Sequence, residues 1–315
     1  MPKRLGRAMK ALHAGAFFMS ARSILITGCS SGIGLACARG MRARGWRVFA
    51  SCRKQEDCDR LRAEGFDAPR LDYADEDSIH KALEEVLAAT GGRLDALFNN
   101  GAFALPGAVE DLPTGALRSI FETNFFGWHT LTRAVIPVMR AQGHGRIVQC
   151  SSVLGMVTMP WRGAYSATKF ALEGLTDTLR IEMRGTGLHI CLIEPGPVTS
   201  RIRVNSIPHF ERWIDWEASP RAAQYRAQLR KRLYESSGPD RFELGPEAVL
   251  KRLVHACEAS RPRPRYYVTT PTYLAGTLRR LLPTRLLDRV TGAGQGLRSD
   301  PSPLHPDPTE GKDHV

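Results

Sequence analysis

A tyrosine and a lysine four residues apart, in Tyr165-Ser-Ala-Thr-Lys169, are the residues of this chain whose types and spacing say most about chemistry. Positions i and i+4 share a helix face, and the pattern predicts a helix over residues 165–183, so the ammonium can lie beside the phenol. A free phenol has a pKa near ~10 and shuttles protons poorly at neutral pH. A fixed positive charge favours the phenolate and lowers that value. Moving it to about 7 needs roughly 4 kcal/mol of differential stabilisation, at about 1.4 kcal/mol per unit. One lysine and the cation of a bound cofactor together reach that order. The same spacing also arises by chance on ordinary surface helices, so its meaning depends on the elements around it.

Those elements begin with Ser23-Ile-Leu-Ile-Thr27, an apolar, β-branched run that reads as a buried parallel strand. It enters Gly28-Cys-Ser30-Ser31-Gly32-Ile33-Gly34 and then a helical stretch, residues 35–44, with Leu35, Ala38 and Met41 as its apolar positions. Glycines let the backbone turn tightly and approach a pyrophosphate, and the helix N-terminus offers it free N–H groups. Such turns also serve as plain strand–helix connections, but the unbroken strand, turn and helix favour a nucleotide site at Gly28, Ser30, Ser31, Gly32, Ile33 and Gly34. A second strand is expected over residues 47–51, followed by Cys52-Arg53-Lys54. A site selective for NAD places an acid near this point, to bind the ribose 2′-hydroxyl. Here no carboxylate repels a 2′-phosphate, and Arg53 can receive one, which predicts NADP(H) over NAD(H). Leu71-Asp72-Tyr73 is expected to close a third strand, with Asp72 accepting from the adenine amino group. Asp75 or Asp77 is read as the cap of the helix that follows.

With these motifs the chain resembles the short-chain dehydrogenase/reductase family, over roughly residues 22–267. The carrying residues are the glycine turn, Asn99-Asn100-Gly101-Ala102, Asn124 in Glu122-Thr-Asn124, Ser152 thirteen residues before Tyr165, the Tyr165/Lys169 pair, and Pro195-Gly-Pro-Val198-Thr199-Ser200. Six motifs in order and spacing make the resemblance specific, and its nearest branch is that of retinol and 17β-hydroxysteroid dehydrogenases with related bacterial enzymes. Two features depart from the family pattern: Gly101-Ala102 inverts the usual order, and Ser200 stands where a threonine is expected.

The resemblance implies an α/β fold, a single Rossmann-type domain with a doubly wound parallel sheet and helices on both faces. It implies reversible hydride transfer between nicotinamide and a carbonyl or alcohol carbon. Tyr165 would exchange the proton and Ser152 would hydrogen-bond the substrate oxygen. Lys169 would lower the tyrosine pKa and hold the nicotinamide ribose. Asn124 would anchor a water linking the lysine to solvent, or else bridge two backbone groups as a structural amide. Asn100, Val198 and Ser200 join the cofactor contacts. No metal is required. The family also implies a homodimer or homotetramer, built on the helices near residues 121–139 and 165–183. A non-catalytic NADP-binding regulator is the rival reading; it loses ground because Ser152, Tyr165 and Lys169 are all present.

At 315 residues the chain is somewhat long for one such domain. Further strands are expected at residues 96–98, 146–150 and 189–193. The seven cysteines lack Cys-x-x-Cys spacing, which reads as a reduced, cytoplasmic chain, and the nine histidines form no ligand cluster. The formal charge of +12 raises nucleic-acid binding, but the excess gathers at the two ends without interleaved aromatics, so no nucleic-acid partner is expected. Residues 1–21 read as a basic, disordered extension, residues 22–270 as the catalytic domain and residues 293–315 as a disordered tail. Within the domain, residues 201–245 are expected to form a substrate lid rich in aliphatic and aromatic side chains, suited to a small hydrophobic substrate. Residues 271–292 form a basic amphipathic segment broken at Pro283. It can pack on the domain or make weak peripheral contact with an anionic membrane, and packing is preferred because amphipathic helices mostly face a core.

Overall fold

A computed structural model describes residues 21–235 and 238–293; the expectations for the N-terminal extension and for the tail beyond residue 293 lie outside them. Short apolar runs become the strands β1 (Ser23–Ile26), β2 (Arg47–Ala50), β3 (Ala96–Asn99), β4 (Gly145–Cys150) and β5 (Leu188–Glu194), and a sixth strand, β6 (Arg265–Tyr267), forms from Arg-Tyr-Tyr without such a run. They form one sheet in the order β2-β1-β3-β4-β5-β6, parallel throughout. Side chains on both sides of β1 and β3 are buried, as a parallel sheet covered on both faces requires. The helices α1 (Gly32–Ala43), α2 (Gln55–Ala63), α3 (Glu76–Thr90), α4 (Thr114–Phe121), α5 (Gly127–Ala141) and α6 (Gly163–Glu182) make the crossovers. α1 and α10 (Glu247–Glu258) pack on one face, and α3, α5 and α6 cover the other. The strand order reverses between β1 and β3, and ligands of such sheets bind beyond the carboxyl ends of the strands at that point.

The expected strand closing at Leu71-Asp72-Tyr73 does not form. The chain runs along β2 with only isolated bridges, Phe49 to Asp67 and Cys52 to Arg70. Pro69 lies between them and has no N–H to give a ladder. Asp75 caps α3, its carboxylate accepting from Ser78 N at 3.1 Å. All six strands and the helices on them share one continuous core, which includes Ile24, Leu25, Ile26, Phe98, Val148, Ile190 and Tyr266.

The segment before β6 carries α7 (Ile202–Trp213), α8 (Ala222–Gln224), a π-turn over Tyr225–Arg230 and α9 (Lys231–Tyr234). Phe210, Ile214, Tyr225, Leu229 and Leu233 bury themselves in a second apolar cluster with Phe103, Leu105 and Trp161. Tyr225 fastens it: its hydroxyl donates to Asp111 and accepts from Ala108 N, each at 2.8 Å. The amphipathic C-terminal segment breaks at Pro283 into α11 (Thr270–Leu281) and α12 (Thr284–Ala293). Ala275 and Leu287 pack on Val157, so the helices rest on the loop between Ser152 and Tyr165. Leu274, Leu281, Leu286 and Val290 stay exposed on the outer side. No helix among the described residues is long and apolar enough to cross a membrane. The seven thiols are all free and buried.

Candidate active site

β1 delivers the chain to the glycine turn, where Gly28 (φ 69°) and Gly32 (φ 56°) adopt left-handed backbone that L side chains resist. Space is as decisive as angle. A Cβ on Gly28 would lie 2.5 Å from Gly101 Cα, and one on Gly34 would lie 2.2 Å from Gly28 O. Thr27, buried beneath, accepts from Asn100 N and Gly101 N at 2.9 and 3.1 Å. The Asn100 amide donates to Thr27 O at 3.0 Å, so this residue clamps the turn to the end of β3. The inverted Gly101-Ala102 pair has a physical reason here: Gly101 is the residue pressed against Gly28, and a Cβ on it would meet Gly28 N and Tyr73 at 3.3 Å. Ser31 begins α1 without a side-chain cap, and the first turn of that helix holds no acid. Its N–H groups and the Ser30 and Ser31 hydroxyls therefore fit an anionic pyrophosphate. Ile33 follows within the first turn of α1, half-buried. Ser200 Cβ stands 3.2 Å from where a Gly32 side chain would begin, which joins the far segment to the turn. Val198 is fixed by a bridge to Leu244.

Arg53 is exposed at the end of β2, its carbonyl held by Arg70. Arg60, which sequence reasoning passed over, donates to Ser30 O at 2.8 Å and adds a second cation at this edge. Asp72 is half-buried, and one of its carboxylate oxygens accepts from Ala74 N at 3.1 Å, tying up one acceptor in its own turn.

Ser152, Tyr165 and Lys169 meet beyond β4. Ser151 N–H donates to Ile193 O and Val153 N–H to Pro195 O, so neighbouring strands fix the loop that carries Ser152. The Ser152 hydroxyl accepts from Leu154 N at 3.1 Å. Lys169 is buried, with Nζ 5.6 Å from the Tyr165 ring centroid, 4.2 Å from that of Trp128, and donating to Cys150 O at 2.8 Å. The electrostatics differ from the sequence expectation. Burial raises the Tyr165 phenol, reinforced by Cys150 and opposed by the Ser152 hydrogen bond. Burial likewise pushes Lys169 down to about 8, against the pull of Cys150 and Glu173. Desolvation penalises the charged form of both groups, and in the protein alone it sets the direction of each shift.

Asn124 lies in a π-turn, Glu122–Phe126, between α4 and α5. Its Oδ1 accepts from Phe103 N at 3.1 Å and its Nδ2 donates to Phe103 O at 2.8 Å. The side chain thus bridges two backbone groups, the structural option. Phe103 in turn stacks on His209 of α7 at 3.9 Å. The sequence reading also missed Tyr73, whose hydroxyl donates to Asn99 Oδ1 at 2.5 Å and accepts from the Thr27 hydroxyl at 2.9 Å. No local pattern announces that contact, because Tyr73 lies 46 residues from Thr27.

These motifs converge where comparison with known proteins also points: a short chain dehydrogenase pattern matches residues 22–209. The chain belongs to the short-chain dehydrogenase family. YbbO of Escherichia coli strain K12, an uncharacterized oxidoreductase, is 39% identical over 269 residues, 85% of this chain and 93% of that protein. An NADPH-dependent 3-dehydrocapnine reductase of Ornithobacterium rhinotracheale is 31% identical, spanning 85% of this chain and 95% of its own length. Human 17-beta-hydroxysteroid dehydrogenase type 1 is 32% identical over 80% of this chain and 78% of that protein. Among solved structures, a Streptomyces avermitilis short-chain dehydrogenase superposes with a TM-score of 0.69 at 30% identity, covering 82% of this chain and 91% of its own. As a member of this oxidoreductase family, the chain has the Rossmann fold and a nicotinamide cofactor as its hydride carrier.

Proposed function

We propose that this short-chain dehydrogenase uses NADP(H) to interconvert a carbonyl and an alcohol on a lipid-like substrate, with Tyr165 as the acid and base. The observation that carries the reading is the buried Lys169 ammonium 5.6 Å from the Tyr165 ring, held to Cys150 O at the end of β4, from which the loop carrying Ser152 departs. Bound NADP(H) supplies or takes the hydride. Gly28, Ser30, Ser31, Gly32, Ile33 and Gly34 hold its pyrophosphate, Arg53 its 2′-phosphate and Asp72 its adenine. Asn100 keeps the turn in shape, while Val198 and Ser200 bound the nicotinamide end. Ser152 donates to the substrate oxygen, where negative charge grows. Tyr165 gives that oxygen a proton in reduction and removes one in oxidation. Lys169 steadies the phenolate formed, and Asn124 acts by position, holding Phe103 beneath α7. Residues 201–245 serve as the lid, and its apolar cluster with the Tyr165 ring suits a hydrophobic substrate. NADP(H) preference rests on the missing acid at residues 51–54, on Arg53, and on the NADPH dependence of the capnine-type relative.

The pH dependence follows from the phenol's direction. Oxidation needs phenolate, and burial raises the phenol pKa, so the oxidation rate climbs with pH by about tenfold per unit below that pKa. Reduction needs the protonated phenol and stays level across the same range. Tyr165→Phe should lower turnover by about 10²–10⁴-fold, with NADPH binding retained by fluorescence titration. A variant that keeps turnover, or an oxidation rate indifferent to pH below 10, removes tyrosine from the proton step.

A further inference from the structure

Among the described residues, two that are not glycine hold left-handed backbone, Trp161 (φ 66°) and Phe242 (φ 65°), and both flank one group of charges. Side chains resist this conformation, and such strain concentrates where a fold clamps a ligand. Trp161 is held in it firmly. It is buried, its ring lies 4.7 Å from Tyr225, and its indole N–H donates to Gln228 at 3.3 Å. Arg162 follows immediately, three residues before Tyr165, and Phe242 stands two residues beyond Asp240. Asp240 accepts from Arg232 at 2.9 and 3.1 Å and pairs with Arg203 at 3.5 Å. The Arg162 guanidinium is half-buried and makes no hydrogen bond or ion pair among the described residues. Burial, then Arg232 and Arg203, push its pKa down to about 10, with Asp240 opposing. Nearby acids are engaged elsewhere: Glu243 with Asp240 N and Thr199, Glu211 with Tyr234.

Arg203 and Arg232 therefore share the one carboxylate of Asp240, and Arg162, at the start of the helix that carries Tyr165, is left without one. A shielded cation without a counter-ion is unfavourable, and a guanidinium fork matches a carboxylate, sulfonate or phosphate. The adjoining wall is apolar: Phe210, Ile214 and Leu229 belong to the cluster on which the Tyr165 ring packs. We propose that Arg162, with Arg203 and Arg232, forms a subsite for an anionic group carried by an otherwise apolar carbonyl or alcohol substrate. This rests on Tyr165 acting at the same site, and it narrows the substrate from lipid-like to amphiphilic and anionic. Arg162 takes the charged end and leaves the reacting carbon to Ser152 and Tyr165.

The test compares long-chain ketones of one length that carry a hydroxyl, carboxylate, sulfonate or phosphate near the carbonyl. With NADPH, at least one anionic ketone should exceed the hydroxy ketone in kcat/KM by about tenfold or more, mainly through KM, and the advantage should shrink with salt. Arg162→Met should collapse that ratio and Arg162→Lys should restore part of it. Equal kcat/KM for every head group, or a ratio unchanged in Arg162→Met, overturns the subsite. A second measurement covers a variant that does not fold. Calorimetric titration of the unaltered protein, saturated with NADP⁺, should show dodecyl phosphate or dodecanoate binding about tenfold or more tighter than dodecanol. Equal affinity for the three rejects the proposal. Anion-selective binding with no turnover of any ketone keeps the subsite and rejects the redox reading, while turnover without anion preference does the reverse.

Discussion

Arg53 and Asn124 show how far single residues can be read. The missing acid after β2 is a fact of sequence, and its consequence is local: a carboxylate there would repel a 2′-phosphate and accept from a 2′-hydroxyl. Arg53→Asp should therefore cut NADPH affinity by about tenfold or more, while leaving NADH affinity nearly unchanged or improved. Equal losses for both dinucleotides, measured by fluorescence titration, defeat the assignment of Arg53 to the phosphate. Asn124 was legible as a motif residue, but its function was not. That its amide bridges the backbone is set by Phe103, 21 residues away, which accepts from its Nδ2 and donates to its Oδ1.

At the scale of elements, β1 to β5 were readable because each is built on a short apolar run, and the first helix because it follows the glycines; β6, Arg265-Tyr-Tyr267, carries no such run and was not expected. The third strand failed on Pro69, whose missing N–H matters only once β2 is its neighbour. One tie between elements left no trace in the sequence pattern. Arg265 on β6 binds Glu194 of β5 at 2.5 Å and Asp177 of α6 at 2.6 Å, and also pairs with Glu173 of α6. Glu194 and Glu173 are both buried, and desolvation raises both carboxyls more than Arg265 lowers them. Arg265→Met takes the donor away from these buried carboxyls, and a buried polar group left unsatisfied costs about 1–3 kcal/mol. Urea denaturation should show a loss of that order. A midpoint within error of the parent would mean that the acids are already neutral and need no partner.

For the whole molecule, the question is what covers α5 and α6. Phe126 in the turn before α5, and Leu175 and Ile181 on α6, are exposed. The proposed dimer or tetramer uses these helices, and burying such side chains favours association by roughly 25 cal/mol per Å² of apolar surface. Light scattering after size exclusion should give twice or four times the 34.9 kDa chain mass, and Ile181→Glu should shift it toward the monomer. A monomer at micromolar concentration ends that proposal.

Residue types and their spacing carried the likeness to the oxidoreductase family, because local turn and helix geometry already brings the glycine turn together and sets Tyr165 and Lys169 on one helix face. They also determined the strand–helix alternation, since burial on both faces demands apolar runs. Only the tertiary structure decided which charges lack partners. Arg162, Arg203, Arg232 and Asp240 come from three separate stretches of chain, and nothing in their sequence neighbourhoods says that three cations will face one acid. The same holds for the titration of Tyr165 and Lys169: spacing places the two groups together, but the depth at which the fold buries them sets whether attraction or desolvation prevails.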